Sequence, residues 1–232
     1  MGKRIISQRR GRGTLTYRVR KKAFRHKIGY PQKEGEAEII KLFSSAGHSA
    51  PLLKLKLQNE IFFIPAFNGA FEGQKINVNA KEAQDGNIMS IKNVPLGTKV
   101  YNIEKNPGDG GKMTRTAGSS STVFKKYDNK ISVLMRNKKE IKLSEDCRVT
   151  IGIIAGSGKT SKPFMQAGAK YYKMKAKSKL WPRTSAVKMN AIDHPFGSGR
   201  GKRIKSKTAK RNAPPGRRVG HIRPSRTGRK KR

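Results

Sequence analysis

The sequence predicts a mainly β protein, with two small β-barrel domains held between long basic segments. Three observations predict it. The charge is partitioned along the chain. The near-neutral middle carries ten short stretches of alternating apolar and polar residues, the period of a half-buried strand. Amphipathic helices do not alternate with those stretches, which argues against an α/β fold.

The chain has 232 residues with 54 Lys and Arg, 14 Asp and Glu, and a formal net charge of +40. Residues 1–33 hold 12 basic residues and no acid. Residues 34–146 hold 17 basic residues against 13 acids, the balance of an ordinary globular domain. Residues 147–232 hold 25 basic residues and one acid, Asp193.

The first strand group is read at 38–43, 51–58, 60–67, 74–79 and 88–91. In 52-LLKLKL-57 leucine and lysine alternate, so one face is buried and the other is wet. The second group is read at 98–104, 121–127, 130–136, 139–143 and 148–154. Asp128-Asn129 and 136-RNKK-139 suit hairpin turns. The Pro/Gly turn 93-NVPLGT-98 separates the groups. The expected organisation is a basic extension over 1–35, a first barrel over 36–94, a second over 95–165 and a basic extension over 166–232.

The ends have too few apolar residues to offset the entropy of ordering a chain. They are read as segments that order against a polyanion. Nucleic acid is the leading partner and an anionic membrane surface the second. The single Cys147 excludes a disulfide within the chain and fits a reducing, cytoplasmic compartment. No apolar run is long enough to cross a bilayer, and 1-MGKRIISQRRGRG-13 is not expected to be a secretory or myristoylation signal.

The motif 155-AGSGKT-160 resembles a phosphate-binding loop, but the first glycine of that pattern belongs at position 153, where Ile153 stands. A second strand ending in a magnesium-binding Asp is also lacking. The bland reading is a strand that leaves a barrel through a glycine turn. The histidines (His26, His48, His194, His221) have no metal-ligand spacing, and no G-x-S-x-G elbow occurs. The acids of the middle region are read as members of surface ion pairs. In 189-MNAIDHPFGSGRG-201, Asp193 could orient His194 or raise its pKa, although a local turn capped by Asp193 is the simpler reading. No enzymatic role and no cofactor is expected.

RNA fits best. Tyr17, Phe24, Tyr30, Phe164, Tyr171, Tyr172 and Trp181 sit singly among basic residues, and aromatics stack on unpaired bases while Lys and Arg neutralise phosphates. For any one of them an anchor on the protein's own surface is the commoner outcome. A Gly-rich basic strand suits a crevice in folded RNA better than the regular groove of DNA. A DNA-packaging protein is the alternative, on charge alone.

Several motifs carry a resemblance: 1-MGKRIISQRRGRGTLTY-17, 106-NPGDGGKMTRTAGSSSTV-123, 162-KPFMQAGAKYYKMKAKSKLWP-182, 189-MNAIDHPFGSGRG-201, 212-NAPPGRRVGHI-222 and 226-RTGR-229. In this order they resemble the universal large-subunit ribosomal protein two family, archaeal and eukaryotic type. The resemblance implies an oligonucleotide-binding fold followed by an SH3-like barrel, with both ends extended into large-subunit ribosomal RNA. It implies partners in that RNA, in neighbouring ribosomal proteins, and in the small subunit and tRNA through the assembled ribosome, with no membrane partner. It also implies roles in subunit joining, tRNA placement and assembly of the peptidyl transferase centre, with Mg2+ present only through bound RNA. Asp193, His194 and Pro195 fall on the segment the family places near that centre. The chain departs from the family at 185-SAVKM-189, at Ser198, and at Phe196, where bacterial members carry a second histidine.

The candidate RNA contacts follow the basic segments. They are Arg9, Arg10, Arg12, Arg18, Arg20, Lys21, Lys22 and Arg25 at the start. After the second barrel come Lys159 and Lys162, then Lys170, Lys173, Lys175, Lys177, Trp181 and Arg183. His194 follows, with Arg200, Lys202, Arg203, Arg217, Arg218, Arg226 and Arg229 toward the end.

Overall fold

The computed structural model describes residues 2–159, 161–199 and 208–224. The chain forms two compact units, Arg20–Ala169 and a second made of Met1–Val19 with Lys170–Arg232.

The unit spanning Arg20–Ala169 is mainly β. Its strands are β1 Gly35–Ser44, β2 Pro51–Leu57, β3 Glu60–Pro65, β4 Lys75–Val78, β5 Ile88–Ser90, β6 Lys99–Tyr101, β7 Ser121–Lys126, β8 Lys130–Leu134, β9 Glu140–Ser144 and β10 Arg148–Ile151. Each falls at one of the ten predicted stretches. Several end early for a local reason. Asn102, with φ 48°, stops β6, and Gly152, with φ 111°, stops β10. Both lie in the left-handed region, which breaks the pleat.

Among the described residues the ten strands pair into one sheet, in the order β3-β2-β1-β4-β5-β10-β6-β7-β8-β9. The sheet ends on β3 and β9, so neither strand group closes on itself through strand hydrogen bonds. Pairing is antiparallel except between β4 and β5, which meet in parallel at Val78 and Ile88. Two bulges interrupt the register, at Ile39/Lys41 in β1 and at Val123/Lys125 in β7. The skipped residues, Ile40 and Phe124, are both exposed, as expected when an extra residue turns its side chain out of the ladder.

The sheet carries two apolar cores. One is built from β1–β4 and includes Leu53, Leu55, Ile64 and Ile76. The other includes Val123, Val133, Leu143 and Val149. The middle strands β5, β10 and β6 stand between them. Along β5, Ile88 enters the first core and Met89 the second; along β6, Val100 enters the second and Tyr101 the first. Period-two alternation therefore gives these strands a core on each face. Tyr101 is fully buried and its hydroxyl donates to the Pro65 carbonyl at 3.0 Å.

Residues 20–31, expected within the basic extension over 1–35, lie on this β body. Ala23 is buried, Phe24 packs edge-on against His48 at 5.2 Å, and His26 sits 4.7 Å from the rings of Phe43 and Phe63. The Gly29 amide donates to the Phe63 carbonyl at 3.1 Å. Gly47 makes the close approach possible, because a Cβ there would run into the Ala23 carbonyl. Gly47→Ala is expected to loosen this segment and leave the sheet intact. Hydrogen exchange should quicken at residues 20–30 and stay unchanged in β7–β10; protection unchanged over 20–30 would refute the packing.

The second unit is stitched from distant stretches by backbone bonds. Helix α1, Ile6–Gly11, begins where the Ile5 amide donates to Gln8 Oε1 at 3.0 Å. The Lys3 amide donates to the Ile192 carbonyl at 2.7 Å. Gly216 lies against the Gln8 side chain. Two short strands, β11 Thr208–Ala209 and β12 His221–Ile222, pair in parallel. Helix α2, Ala167–Ala176, has no buried residue. Ile5 is the only buried apolar residue among those described in this unit.

Candidate nucleic-acid interface

The expected contact residues divide between the two units. Arg20, Lys21, Lys22, Arg25, Lys159 and Lys162 belong to the β unit. Arg20 is the residue before a 3-10 turn at Lys21–Phe24, which has no acid in its first turn. Ala23 alone of that turn is buried, so Lys21 and Lys22 stay at the surface with Arg25.

The glycine loop does not make a nucleotide cradle. Ser157–Lys159 is a single 3-10 turn, and the next helix begins only at Ala167. A phosphate-binding loop needs a helix opening at the Lys. Instead Lys159 Nζ donates to the Ser49 carbonyl at 2.5 Å. Gly118 lets the 117–118 backbone pass close to Ser157, where a Cβ would clash. Thr160, the last residue of the motif, lies outside the described residues.

Arg9, Arg10, Arg12 and Arg18, together with Lys170 through Arg218, belong to the second unit. It holds 28 of the 54 basic residues and one acid, in 82 residues. Arg9 and Arg10 occupy the last turn of α1, where cations complement the helix C-terminus, and Arg12 follows as its cap. Arg18 Nε donates to the Gly13 carbonyl at 2.8 Å. Lys173 and Lys175 lie in the last turn of α2. Lys170 Nζ stands 5.3 Å over the Trp181 ring, and Lys175 Nζ 5.7 Å from the Tyr171 ring. Lys177 is held below the usual lysine range by burial first, then by Lys173 and Lys179. Arg183 is exposed. Arg218 donates from Nε and Nη2 to the Ala213 carbonyl at 3.2 and 3.1 Å, after an exposed Arg217. Arg200, Lys202, Arg203, Arg226 and Arg229 lie outside the described residues.

Residues 190–197 form a tight turn. The amides of Asp193 and His194 donate to the Asn190 carbonyl at 3.0 and 3.2 Å. Gly197 passes so close to Asn190 that no side chain fits there. The local turn, the simpler of the two readings, is what forms, and the alternative in which Asp193 orients His194 does not. His194 Nδ1, rather than the Asp193 carboxylate, accepts the Phe196 amide at 3.0 Å. Asp193 lies 3.9 Å from Lys3 Nζ. Burial lowers the His194 pKa from 6.5 instead of a carboxylate raising it. With Nδ1 accepting, the neutral ring keeps its proton on Nε2 and donates from there. An NMR titration of His194 is expected to give a midpoint below 6.5, so the ring is neutral at pH 7; a midpoint above that value would return control to Asp193.

Sequence reasoning missed a buried polar knot in the β unit. Glu104, read as a surface acid, is completely buried. It accepts from the Arg148 amide at 2.8 Å, from Arg148 Nη2 at 3.0 Å, and from the Gly108 and Gly110 amides at 3.3 and 3.0 Å. Arg148 Nη1 also donates to the Pro31 carbonyl at 2.6 Å. Arg115 ties the same region, through Nε to Asn102 Oδ1 at 2.9 Å and Nη2 to the Gly110 carbonyl at 3.3 Å. Tyr30 is an anchor and not a base-stacking ring. Its hydroxyl donates to the Asn102 carbonyl at 2.7 Å and lies 2.7 Å from Thr150 Oγ1, and burial pushes its pKa well above the usual tyrosine range. Burial likewise lifts the Cys147 thiol to about 11, so it is unreactive at neutral pH. The available signal was 107-PGDGG-111, a run of amides needing an acceptor beside the only nearby strand-end acid.

No helix among the described residues is long and apolar enough to cross a membrane, and no group of His, Cys, Asp and Glu there could hold a metal ion. The arrangement defines a class: a β-sheet protein carrying an almost acid-free cationic unit. Comparison narrows it. The family model for Ribosomal Proteins L2, C-terminal domain, matches residues 84–216. A protein of Archaeoglobus fulgidus named Large ribosomal subunit protein uL2 is 43% identical over 98% of this chain and 99% of its own. Proteins of the same name are 41% identical in Sulfurisphaera tokodaii, over 99% of both chains, and in Hyperthermus butylicus, over the whole of both. The chain belongs to the L2 family of ribosomal proteins.

Proposed function

We propose that this protein is a structural constituent of the large ribosomal subunit that binds large-subunit ribosomal RNA and has no enzymatic activity. The observation that carries the reading is the second unit, with 28 basic residues against one acid. Such a surface calls for a polyanion that replaces its counterions. The relatives are named large ribosomal subunit proteins, which supports ribosomal RNA as that polyanion.

In this reading residues 36–94 act as an oligonucleotide-binding fold and residues 95–165 as an SH3-like barrel. The basic segments reach into RNA, and Asp193, His194 and Pro195 lie near the peptidyl transferase centre. The protein supports subunit association and tRNA placement from there, in cytoplasmic ribosomes. Mg2+ enters only with the RNA. A neutral His194 with its Nε2–H as donor suits positioning of RNA.

The test is sedimentation of the native protein from its own lysate, before and after ribonuclease. Migration with the large subunit, lost on RNA digestion, is expected. A chain lacking residues 190–232 should keep the β signature of residues 20–169 and fail to enter the particle. Normal entry of the shortened chain, or saturable preference for duplex DNA over ribosomal RNA, would overturn the reading.

A further inference from the structure

We propose that the cleft between α1 and residues 179–194 receives a single unpaired RNA nucleotide, its base against Ile5, Leu180 and Met189 and its phosphates on Arg10, Lys179 and Arg183. The proposal rests on the RNA-binding reading above and assigns one ligand to one place within it.

The cleft has a volume of about 590 Å3. That lies within the range of pockets enclosing small ligands, about 300–1,000 Å3, and it excludes a double helix. Its lining is divided in character. Ile5 is buried, and Leu180, Ala186 and Met189 are half-buried. Arg10, Lys179 and Arg183 are exposed. None of the described residues that line it is acidic. A bare phosphate would use the cations and leave the apolar floor unmatched. An aliphatic chain would do the reverse. A nucleotide has both parts, a flat weakly polar base and an anionic backbone.

His194 adds a ring at the wall. Its Nδ1 is engaged by the Phe196 amide, so Nε2–H remains to donate to a base edge or a phosphate, and the neutral ring face can stack. The hydroxyls of Ser7 and Thr184 also line the cleft. A base already unpaired enters most cheaply, since no base pair is broken.

The test uses the full-length protein and two RNA hairpins identical except for one bulged 2-aminopurine. Binding is measured across a salt series. Preference for the bulged hairpin is expected at about tenfold, within the range for one stacked base, with 2-aminopurine fluorescence changing on binding. Ala186→Trp fills the cleft and should abolish the preference for the bulged hairpin. Arg183→Ala should instead lower the salt slope by about one. With 4-thiouridine at the bulge, photocrosslinks of the wild-type chain should fall on residues 5–10 or 179–194, which reads the site even if Ala186→Trp does not fold. Equal binding of the two hairpins, or crosslinks elsewhere, overturns the nucleotide pocket and leaves the RNA-binding reading standing. Failure to bind either hairpin or ribosomal RNA overturns the reading itself.

Discussion

Glu104→Ala is expected to lower stability by about 3–5 kcal/mol, the cost of removing one partner of a buried ion pair. Glu104 is completely buried, and Arg148 is largely so, with 23% of its side chain exposed. Truncation leaves the guanidinium without its carboxylate. It also strands the amides of Arg148, Gly108 and Gly110, which lie at 2.8–3.3 Å from the Glu104 oxygens. The thermal midpoint should fall by roughly 10 °C for a unit of this size, measured by circular dichroism of the β signal. Glu104→Gln keeps an acceptor oxygen and should recover part of the loss. The control is Lys75→Ala, which breaks an exposed pair with Glu36 at 3.2 Å and should cost less than about 1 kcal/mol. Equal effects at Glu104 and Lys75 would show that the buried knot contributes nothing special.

The second large effect is on binding. Affinity for ribosomal RNA is expected to fall by about 10³–10⁵ between 50 and 200 mM monovalent salt, the range for six to ten phosphate contacts. The reason is the separation of charge. The β unit disperses 13 acids among its basic residues, while the second unit has only Asp193. Filter binding across a salt series gives the slope. Single alanine substitutions at exposed Arg12 or Arg217 should each reduce it by about one. A slope near zero would mean that the cationic unit does not contact phosphate.

The strands were legible because burial writes itself into the sequence with a period of two. The run 52-LLKLKL-57 buries Leu53, Leu55 and Leu57 and leaves lysine at the other face. Pairing was not legible. β10 inserts between β5 and β6, and this long-range choice leaves no mark in any local window. Helix α2 was missed because 167-AGAKYYKMKA-176 has no apolar stripe and buries nothing. The joining of residues 2–8 to residues 192–216 was hidden for another reason. It relies on main-chain groups such as the Lys3 amide, and every residue type carries those. The basic character of the second unit was legible from composition. The His194 environment was not, because the sign of its shift depends on burial and on which atom takes the Phe196 amide.

The bond from Lys3 to Ile192 also sets an order in time. The ribosome that makes this chain releases Lys3 first and Ile192 almost 190 residues later. At about 5–20 residues per second, the opening basic stretch waits roughly 10–40 seconds for its partner. The strands of residues 20–169 emerge and pair during that interval. The cationic unit is therefore completed after the β unit. The cleft lined by residues 5–10 and 179–194 cannot form until residue 194 has been made.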